Sequence, residues 1–483
     1  MAKQIQYFEV DNEGMKRLYE GQPRTFILRE LLQNAFDENI KECLVSMDWE
    51  DGIATISVHD DSPEGFKDLA DAYTIYKHTA KRSDATKRGR FTLGEKQVIS
   101  QCEFASIITT KGQVIFNKKD GRVVSKRKKT TIGSIITLVI KLKKDDFNEC
   151  IDFCKSVYVP QGINFGLQVK DQSSVIYHYV KPFKSFTATL PTMIDDGIAF
   201  RPTQRKTVVH VHQKSSKLNW LYELGLPVCE IDCDYDIDVQ QKVPVSEDRN
   251  SVSPAFLKRL YAEVLNQVHD QVSSEDASRV WIRTATTSDA IADDVAKEMF
   301  TKRFGEKALI ANPNDPHSMD KAISAGYNVI YGREMDREEW DRFKKLDVAK
   351  STSAVFGTSY ADFEEVLSSQ VSGIQKKIAK FAIKIAQKTL GISISCMFIR
   401  SPKASTLADY GDRKIRFNLS KIPSKYWTLD ADYELHPEMY KLLVHEIAHE
   451  KGTHYESGYH DAMNHIHTVL SYHRRRNPEW FKI

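Results

Sequence analysis

The chain has 483 residues, 41% hydrophobic and 28% charged, a composition typical of globular proteins that divide into several domains. Its formal net charge of +3 at pH 7 is close to balance and gives no reason to expect nucleic-acid binding. No apolar run is long enough to cross a membrane and no secretion signal opens the chain, so we expect a cytoplasmic protein whose seven cysteines are reduced.

The first third of the chain predicts a domain that mixes helices and strands. Apolar residues recur at helical spacing across residues 25–42. Two strands, CLVSMDW and IATISVHD, flank an Asp-Gly pair and predict a hairpin. A polar stretch at residues 74–90 predicts a mobile loop, after which GRFTLGEK predicts the start of a helix.

Three further domains are predicted after the first. Short strands such as KTVVHVHQ and CDYDIDVQ indicate an α+β domain, and a small α/β unit follows whose charged residues predict a solvated surface. The last domain combines a long helix, the strand RKIRFNL and the helix MYKLLVHEIAHE. We therefore predict a multidomain α+β protein with domains at residues 1–146, 147–270, 271–370 and 371–483.

A first group of polar residues lies in the segment RELLQNAFDE. Glu30, Asn34 and Asp37 are spaced four and three residues apart, so they share one stripe of the predicted helix. Carboxylate and carboxamide side chains on one stripe of a helix can hold a hydrated magnesium ion and a water molecule. The alternative is that the whole stripe is ordinary solvated surface. In either case Asp37 has no assigned role and is expected to be a supporting or solvated residue.

Two later segments favour a nucleotide site. Asp60 ends a predicted strand and is followed by a turn that closes at Gly65. An aspartate at the end of a strand can accept a hydrogen bond from the amine of adenine. The segment from Gly89 to Lys96 supplies backbone amides at the start of a helix, where a phosphate is favoured.

The order of these segments resembles that of the GHKL ATPase superfamily, which includes heat-shock chaperones, type II topoisomerase ATPase subunits, MutL mismatch-repair proteins and sensor histidine kinases. The resemblance spans about residues 1–145 and implies a GHKL (Bergerat) α/β sandwich with ATP and Mg²⁺ as cofactors. It implies that Glu30 is the general base and Asn34 the magnesium ligand. Ser62 stands where the family usually has glycine, and Pro63 is inserted. The nucleotide contacts that it implies are Asp60, Gly65, Lys81, Gly89, Gly94, Glu95, Lys96 and Ser134.

The second domain is similar to the transducer of these ATPases. Its Gln240-Gln241-Lys242 resembles a Gln-x-Lys loop, which implies that Lys242 contacts the γ-phosphate. Arg249 is an alternative, and an exposed turn lysine is the other interpretation. The resemblance further implies that ATP pairs two copies of the chain through their amino-terminal residues.

A second group of residues lies in the histidine-rich segment LLVHEIAHEKGTHYESGYHDAMNHIH. His445 and His449 are four residues apart on a predicted buried helix, so both imidazoles can share one metal ion, and Glu446 can accept a proton from water. A three-ligand zinc site needs one more histidine, for which His454 and His460 are both in reach.

The HExxH pattern resembles the signature of the zincin metallopeptidases. This resemblance implies a zincin-like α+β domain with Zn²⁺ and a protein substrate, and we expect RKIRFNL to be the edge strand that aligns it. The metzincin subgroup would require a ligand at Tyr455, so it does not fit, and Glu450 is charged where zincins usually carry an uncharged residue.

The predicted function is ATP hydrolysis whose nucleotide-gated closure is coupled to a zinc-dependent, peptidase-like domain that cleaves or binds protein. One alternative is a nucleotide-gated clamp on nucleic acid. Another is a chaperone-like ATPase. In both alternatives the metal domain is structural or degenerate.

Overall fold

The computed structural model describes residues 10–77, 79–90, 93–195, 200–213, 218–246, 251–313, 315–356, 363–402, 406–454 and 456–483. The chain forms two compact units, Met1–Gln271 with Arg279–Ile291, and Val272–Ser278 with Ala292–Ile483. Both units mix helices and strands. The prediction of a multidomain α+β protein is therefore confirmed, whereas the division into four domains stays a prediction.

The first half of the first unit is built on a large mixed sheet. Its elements are α1 Asn12–Leu18, α2 Phe26–Phe36, β1 Glu42–Glu50, β2 Ile53–Asp60, α3 Ala80–Ser83, α4 Gly94–Gln101, β3 Phe104–Thr109, β4 Gly112–Asn117, β5 Gly121–Ser125, β6 Ser134–Lys141, α5 Lys144–Lys155, β7 Asn164–Val169 and β8 Val175–Tyr177. The strand order in this eight-stranded sheet is β5-β4-β3-β6-β2-β1-β7-β8. Helices α2 and α4 pack against each other, and α2 also contacts β2.

The predicted hairpin is confirmed as β1 and β2, which pair antiparallel. Asp51 and Gly52 in its turn both have positive φ angles, 47° and 82°. Such a two-residue turn matches the right-handed twist of the strands. The apolar face of α2 is buried, as the spacing of Ile27, Leu31 and Leu32 predicts.

A second sheet completes the first unit. Its elements are β9 Lys184–Asp195, β10 Phe200–Gln213, β11 Asn219–Glu223, β12 Leu226–Ile231 and β13 Tyr235–Val239, followed by α6 Pro254–Val268 and α7 Val280–Thr286. The strand order is β12-β11-β13-β10-β9. The predicted strands KTVVHVHQ and CDYDIDVQ correspond to parts of β10 and β13.

In the part of the chain that the structure describes, the second unit contains two small sheets and seven α-helices. Its elements are α8 Asp293–Phe304, β14 Ala308–Ile310, α9 Pro316–Ser324, β15 Asn328–Ile330, α10 Arg337–Lys345, α11 Thr352–Phe356, β16 Glu364–Glu365, α12 Gly373–Leu390, β17 Ser395–Arg400, β18 Ala408–Gly411, β19 Lys414–Asn418, α13 Pro437–Ala448 and α14 Ser457–Arg476. Strands β14 and β15 pair in parallel, and the four-stranded sheet has the order β16-β17-β19-β18. Across the part of the chain that the structure describes, no helix is long and apolar enough to cross a membrane.

The prediction that RKIRFNL is an edge strand is wrong. It forms β19, which pairs with β17 on one side and β18 on the other. Its Ile415 and Phe417 are completely buried, which is the pattern of a strand in the interior of a sheet. The edge of this sheet next to α13 is β18 instead.

Candidate metal centre and candidate nucleotide site

Helix α13 positions the first two histidines of the candidate metal centre. Its buried residues include Leu443 and Ile447, which are completely inaccessible and fix the rotation of the helix. His445 and His449 therefore stand one turn apart on the same side. The α-helix ends at Ala448 and continues as a 3₁₀ turn to Lys451.

The chain reverses after this turn at Gly452. Its φ angle is 139°, and a Cβ atom there would lie 2.6 Å from a carboxylate oxygen of Glu456. A glycine meets both conditions without strain. The reversal brings His454 back to the helix, so that its Nε2 lies 3.1 Å from Nε2 of His445.

The three histidines form a cluster in which one ligand nitrogen from each lies within 4.8 Å of the others. In every case the other ring nitrogen, Nδ1, faces an oxygen atom. Such outer contacts fix the tautomer and orientation of metal-binding histidines. The three pairs are His445 with the Tyr459 hydroxyl at 2.7 Å, His449 with the Gly452 carbonyl at 3.1 Å, and His454 with the Asp320 carboxylate at 2.9 Å.

Glu446 lies on the same helix and is 5% exposed. Burial, followed by the negative charge of Asp409, raises the pKa of Glu446 to about 8, although Arg416 acts in the opposite direction. Burial, and then the charge of Glu446, also raise the pKa of Tyr459. Within the described ranges no hydrogen bond to the Glu446 carboxylate is found.

This donor set fits a divalent transition metal such as zinc. Three imidazole nitrogens are a common protein ligand set for catalytic zinc, with a further position left for water or substrate. A buried carboxylate without a polar partner is costly, and a cation in the histidine cluster would offset its charge.

Two residues flanking the cluster lie outside it. His460, the alternative third ligand, directs its Nε2 at the carbonyl oxygen of His454 at 2.8 Å. Glu450 accepts hydrogen bonds from the Tyr410 hydroxyl at 2.6 Å and from Arg413 Nε at 3.3 Å. The charge of Glu450, which is unusual at this position in zincins, is thus held by two residues of the β18–β19 hairpin. Tyr455 lies outside the described residues.

The candidate nucleotide site begins with Glu30, which is 7% exposed on α2. Gly94, the first residue of α4, lies directly against its carboxylate, because a Cβ atom on Gly94 would be 1.6 Å from Oε2. The structure therefore brings Glu30, the predicted general base, next to the start of α4, where the phosphate is predicted to bind. Asn34 lies one turn further along α2, half-buried, and no hydrogen bond of its side chain is found within the described ranges.

The turn after β2 gathers the residues predicted to contact adenine. The carboxylate of Asp60 accepts a hydrogen bond from the N–H of Ser62 at 2.9 Å, and burial raises its pKa. Ser134 is 2% exposed and pairs with Asp60 across β2 and β6. Gly65 has a φ angle of 57°, and a Cβ atom there would lie 2.8 Å from the Thr109 hydroxyl.

Residues 80–90, here called the lid segment, contain α3 and are anchored to the end of α2. Asp37 is 3% exposed and accepts hydrogen bonds from the N–H groups of Arg88 and Gly89, both at 2.8 Å. Its carboxylate also pairs with the Arg88 guanidinium at 3.2 Å. In this structure the predicted phosphate-binding N–H of Gly89 is therefore engaged by Asp37. Asp37 is a buried anchor, and its interpretation as a solvated residue is wrong.

The second sheet of the first unit also contacts the lid segment. Lys242 is completely buried, and its ammonium donates to the carbonyl oxygens of Lys81 at 2.5 Å and Arg82 at 3.2 Å. Burial, followed by the positive charge of Arg90, lowers the pKa of Lys242 to about 8. The interpretation of Lys242 as an exposed turn lysine is therefore wrong. The alternative, Arg249, lies outside the described residues.

The remaining predicted nucleotide residues form ion pairs within the protein. The ammonium of Lys81 lies 2.6 Å from a carboxylate oxygen of Glu38. Glu95 is buried, which raises its pKa, and the Lys96 ammonium lies 3.3 Å from its carboxylate. The two charged residues in the first turn of α4 are thus paired with each other.

Sequence reasoning missed Asp320 and Tyr459 at the metal cluster. Tyr459 follows the histidine motif closely and lies in the first turn of the next helix, so its position offered a signal. Asp320 lies in α9, within the segment that was predicted to present a solvated surface. That prediction is wrong for Asp320, whose side chain is 13% exposed. No spacing in the sequence connects it to the histidines.

Comparisons with known proteins do not assign a family. No protein-family model matches the chain, and no curated protein sequence matches it. Among solved structures, the N-terminal domain of a DNA repair protein is similar over 47% of this chain and 86% of its own length, at 14% identity and a TM-score of 0.30. That score is too low to support an argument about fold or function.

Proposed function

We propose that the second unit is a zinc-dependent hydrolase of peptide bonds with a zincin-like site. The observation that carries this proposal is the convergence of three histidine nitrogens, His445, His449 and His454, beside the buried carboxylate of Glu446. Edge strand β18 packs against α13, and an extended peptide can add to such an edge through backbone hydrogen bonds. The substrate is therefore an extended protein segment.

The residues of this site have distinct roles. His445, His449 and His454 hold the ion, and Asp320 orients His454. A zinc ion held there supplies a Lewis acid that polarises a carbonyl group and makes water more acidic. Glu446 accepts the proton that leaves the attacking water and returns it to the departing amine.

The direct test is hydrolysis of an unfolded protein such as casein, followed by mass spectrometry of the fragments. Glu446→Gln keeps the shape of the side chain but removes the base, so we expect a loss of activity of about 10²–10⁴-fold with zinc content unchanged. Glu438→Gln, whose side chain is 45% exposed on the same helix, is the matched control and should keep its activity. Equal hydrolysis by the wild type and by Glu446→Gln would contradict the proposal.

ATP hydrolysis by the first unit is a second candidate function. It is favoured by the contact between Glu30 and Gly94, which sets a buried carboxylate at the start of α4. In this GHKL-type proposal Asn34 binds Mg²⁺, Glu30 activates water, and the turn at Asp60 and Gly65 receives adenine. The amides at the start of α4 face the phosphates.

Phosphate release from Mg²⁺-ATP tests this second proposal. Glu30→Gln should lower the rate by about 10²–10⁴-fold, whereas Glu20→Gln, an exposed residue, should not. An unchanged rate in Glu30→Gln would exclude Glu30 as the base.

Two further experiments test the coupling. Adding ATP to the casein assay tests whether nucleotide binding regulates the peptidase. Size-exclusion chromatography with an ATP analogue tests whether two copies of the chain pair.

The clamp and chaperone alternatives make different predictions. A nucleic-acid clamp should show ATP hydrolysis that is stimulated by DNA and that loses this stimulation steeply as salt rises. A chaperone-like ATPase should be stimulated by an unfolded protein that stays uncut. Phosphate release and casein hydrolysis, measured with and without DNA or unfolded protein, therefore distinguish the ATP-regulated peptidase, the nucleic-acid clamp and the chaperone-like ATPase.

A further inference from the structure

A cavity of about 430 Å³ opens in the first unit, and none of the residues assigned above lines it. This volume is within the range of small-molecule sites, about 300–1,000 Å³. The walls come from the segment after α5, from β8 with the loop that follows, and from the end of β10. The side chains that matter to the argument are Lys155, Tyr158, Tyr177, His178, Lys181 and His212.

The floor of the cavity is an aromatic stack. The rings of Tyr158 and His212 lie 3.8 Å apart between centroids with an angle of 15°. Tyr158 is fixed there because its hydroxyl donates to Asp236 at 2.9 Å. A flat ring can stack against such a surface.

His212 is 4% exposed and lines the cavity, yet its imidazole makes no hydrogen bond with any residue of the described ranges. Burial, and then the proximity of His210, lower the pKa of His212 to about 4, so the ring is neutral at neutral pH. A neutral imidazole carries one donor and one acceptor. Buried polar groups are nearly always paired, so a partner for His212 is expected from the cavity side.

The rim of the cavity is positively charged. The ammonium of Lys181 is exposed and forms no ion pair with any residue that the structure describes. Lys155 is also exposed and contacts Asp152 at 3.1 Å. His178 is held by Asn164, whose side-chain oxygen lies 3.0 Å from Nδ1. Because the charge of Lys155 is partly offset by Asp152, Lys181 is the main cation at the mouth of the cavity that attracts an anion.

We propose that this cavity binds a small aromatic anion, a flat ring that carries a carboxylate or a phosphate group. The ring packs beside the stack of Tyr158 and His212. The anionic group faces Lys181, and the N–H of His212 donates to a polar atom of the ligand. No residue that lines this cavity belongs to the metal centre or to the candidate nucleotide site.

Isothermal titration of the full chain with salicylate and with phenyl phosphate tests the proposal. At least one of the two should bind saturably with one site per chain, and the tighter probe identifies the anionic group. Acetate and inorganic phosphate lack the ring, and benzyl alcohol lacks the charge. Each of these three should bind at least about tenfold more weakly, because one of the two kinds of contact is missing.

Two variants locate the binding. Lys181→Met should weaken binding of the tighter probe about two- to fivefold, as expected for an exposed charge pair, and His212→Phe should weaken it about tenfold while keeping the stack. Lys206→Met, an exposed lysine on the same strand as His212, is the matched control and should bind normally. If His212→Phe does not fold, the surface variant Lys181→Met still gives the answer.

Three outcomes would overturn the proposal. The first is an absence of saturable binding of both aromatic probes. The second is inorganic phosphate or acetate binding as tightly as its aromatic counterpart. The third is identical affinity of the tighter probe for the wild type and for Lys181→Met.

Discussion

The carboxylate of Asp320 lies 2.9 Å from Nδ1 of His454, although the two residues belong to distant parts of the sequence. This contact leaves Nε2 of His454 facing His445. A carboxylate behind a histidine raises its basicity and fixes its tautomer, and both effects favour metal binding. Helix α9 therefore supports the candidate metal centre, and Asp320 acts as a positioning residue.

The first prediction concerns Asp320→Asn. This change keeps the shape of the side chain but removes the charge behind His454, so we expect zinc affinity to fall about 10–100-fold. Competition with a chelator of known affinity measures the effect. Asp341→Asn, an exposed residue of the same unit, is the control. Equal zinc affinity in Asp320→Asn and the wild type would show that Asp320 has no part in the site.

The second prediction concerns Gly94→Ala. The added methyl group would lie 1.6 Å from Oε2 of Glu30, so the carboxylate or the helix start must move. Overpacking of this kind destabilises proteins by about 1–3 kcal/mol. Urea unfolding measures the loss, and ATP turnover should fall with it. Gly373→Ala, which has open space around it, should have little effect, and similar losses in both variants would contradict the contact.

The third prediction concerns the anchor of the lid segment. Asp37→Asn leaves the buried guanidinium of Arg88 without its carboxylate, which costs about 3–5 kcal/mol in comparable buried pairs. We expect lower stability in urea and faster tryptic cleavage at residues 81–90. Asp152→Asn, an exposed residue, serves as the control. Wild-type protection of the lid segment in Asp37→Asn would show that the anchor is unimportant.

The fourth prediction is a pH dependence that arises from Lys242. Its pKa is lowered to about 8 by burial, whereas an unfolded lysine keeps its proton up to about pH 10.4. Between these values the unfolded chain binds more protons, so the contribution of Lys242 to the unfolding free energy rises with pH. Below about pH 8 Lys242 is charged in both the folded and the unfolded chain, so the full cost of burying its ammonium group lowers the unfolding free energy.

Comparison with Lys242→Met isolates this contribution. The unfolding free energy of the wild type relative to Lys242→Met should increase between about pH 8 and pH 10, as measured by urea unfolding. Lys206→Met, at an exposed position, should show no such trend relative to the wild type. A pH-independent difference for Lys242→Met would mean that the ammonium is not desolvated.

Local patterns predicted much of the fold. The apolar spacing of α2 and α13 and the Asp51-Gly52 turn each depend on residues close in sequence, and the structure contains all three elements. The same holds for His445 and His449, whose common direction follows from one helical turn.

Long-range contacts could not be predicted in this way. Asp320 reaches His454 only because α9 folds against the metal cluster, and Lys242 reaches the lid segment only because the second sheet packs there. The central position of β19 depends on its pairing with β17 and β18. The spacing of residues in a single sequence does not indicate which distant strands and helices will contact each other.

The measurement that tests the central claim most directly is elemental analysis of zinc in the purified full chain. After saturation with zinc and removal of the free metal, the wild type should retain one zinc ion per chain. The double variant His445→Ala, His449→Ala should retain none, because each chain then keeps a single histidine of the cluster. A wild type without bound zinc, or a double variant that binds it equally, would contradict the account.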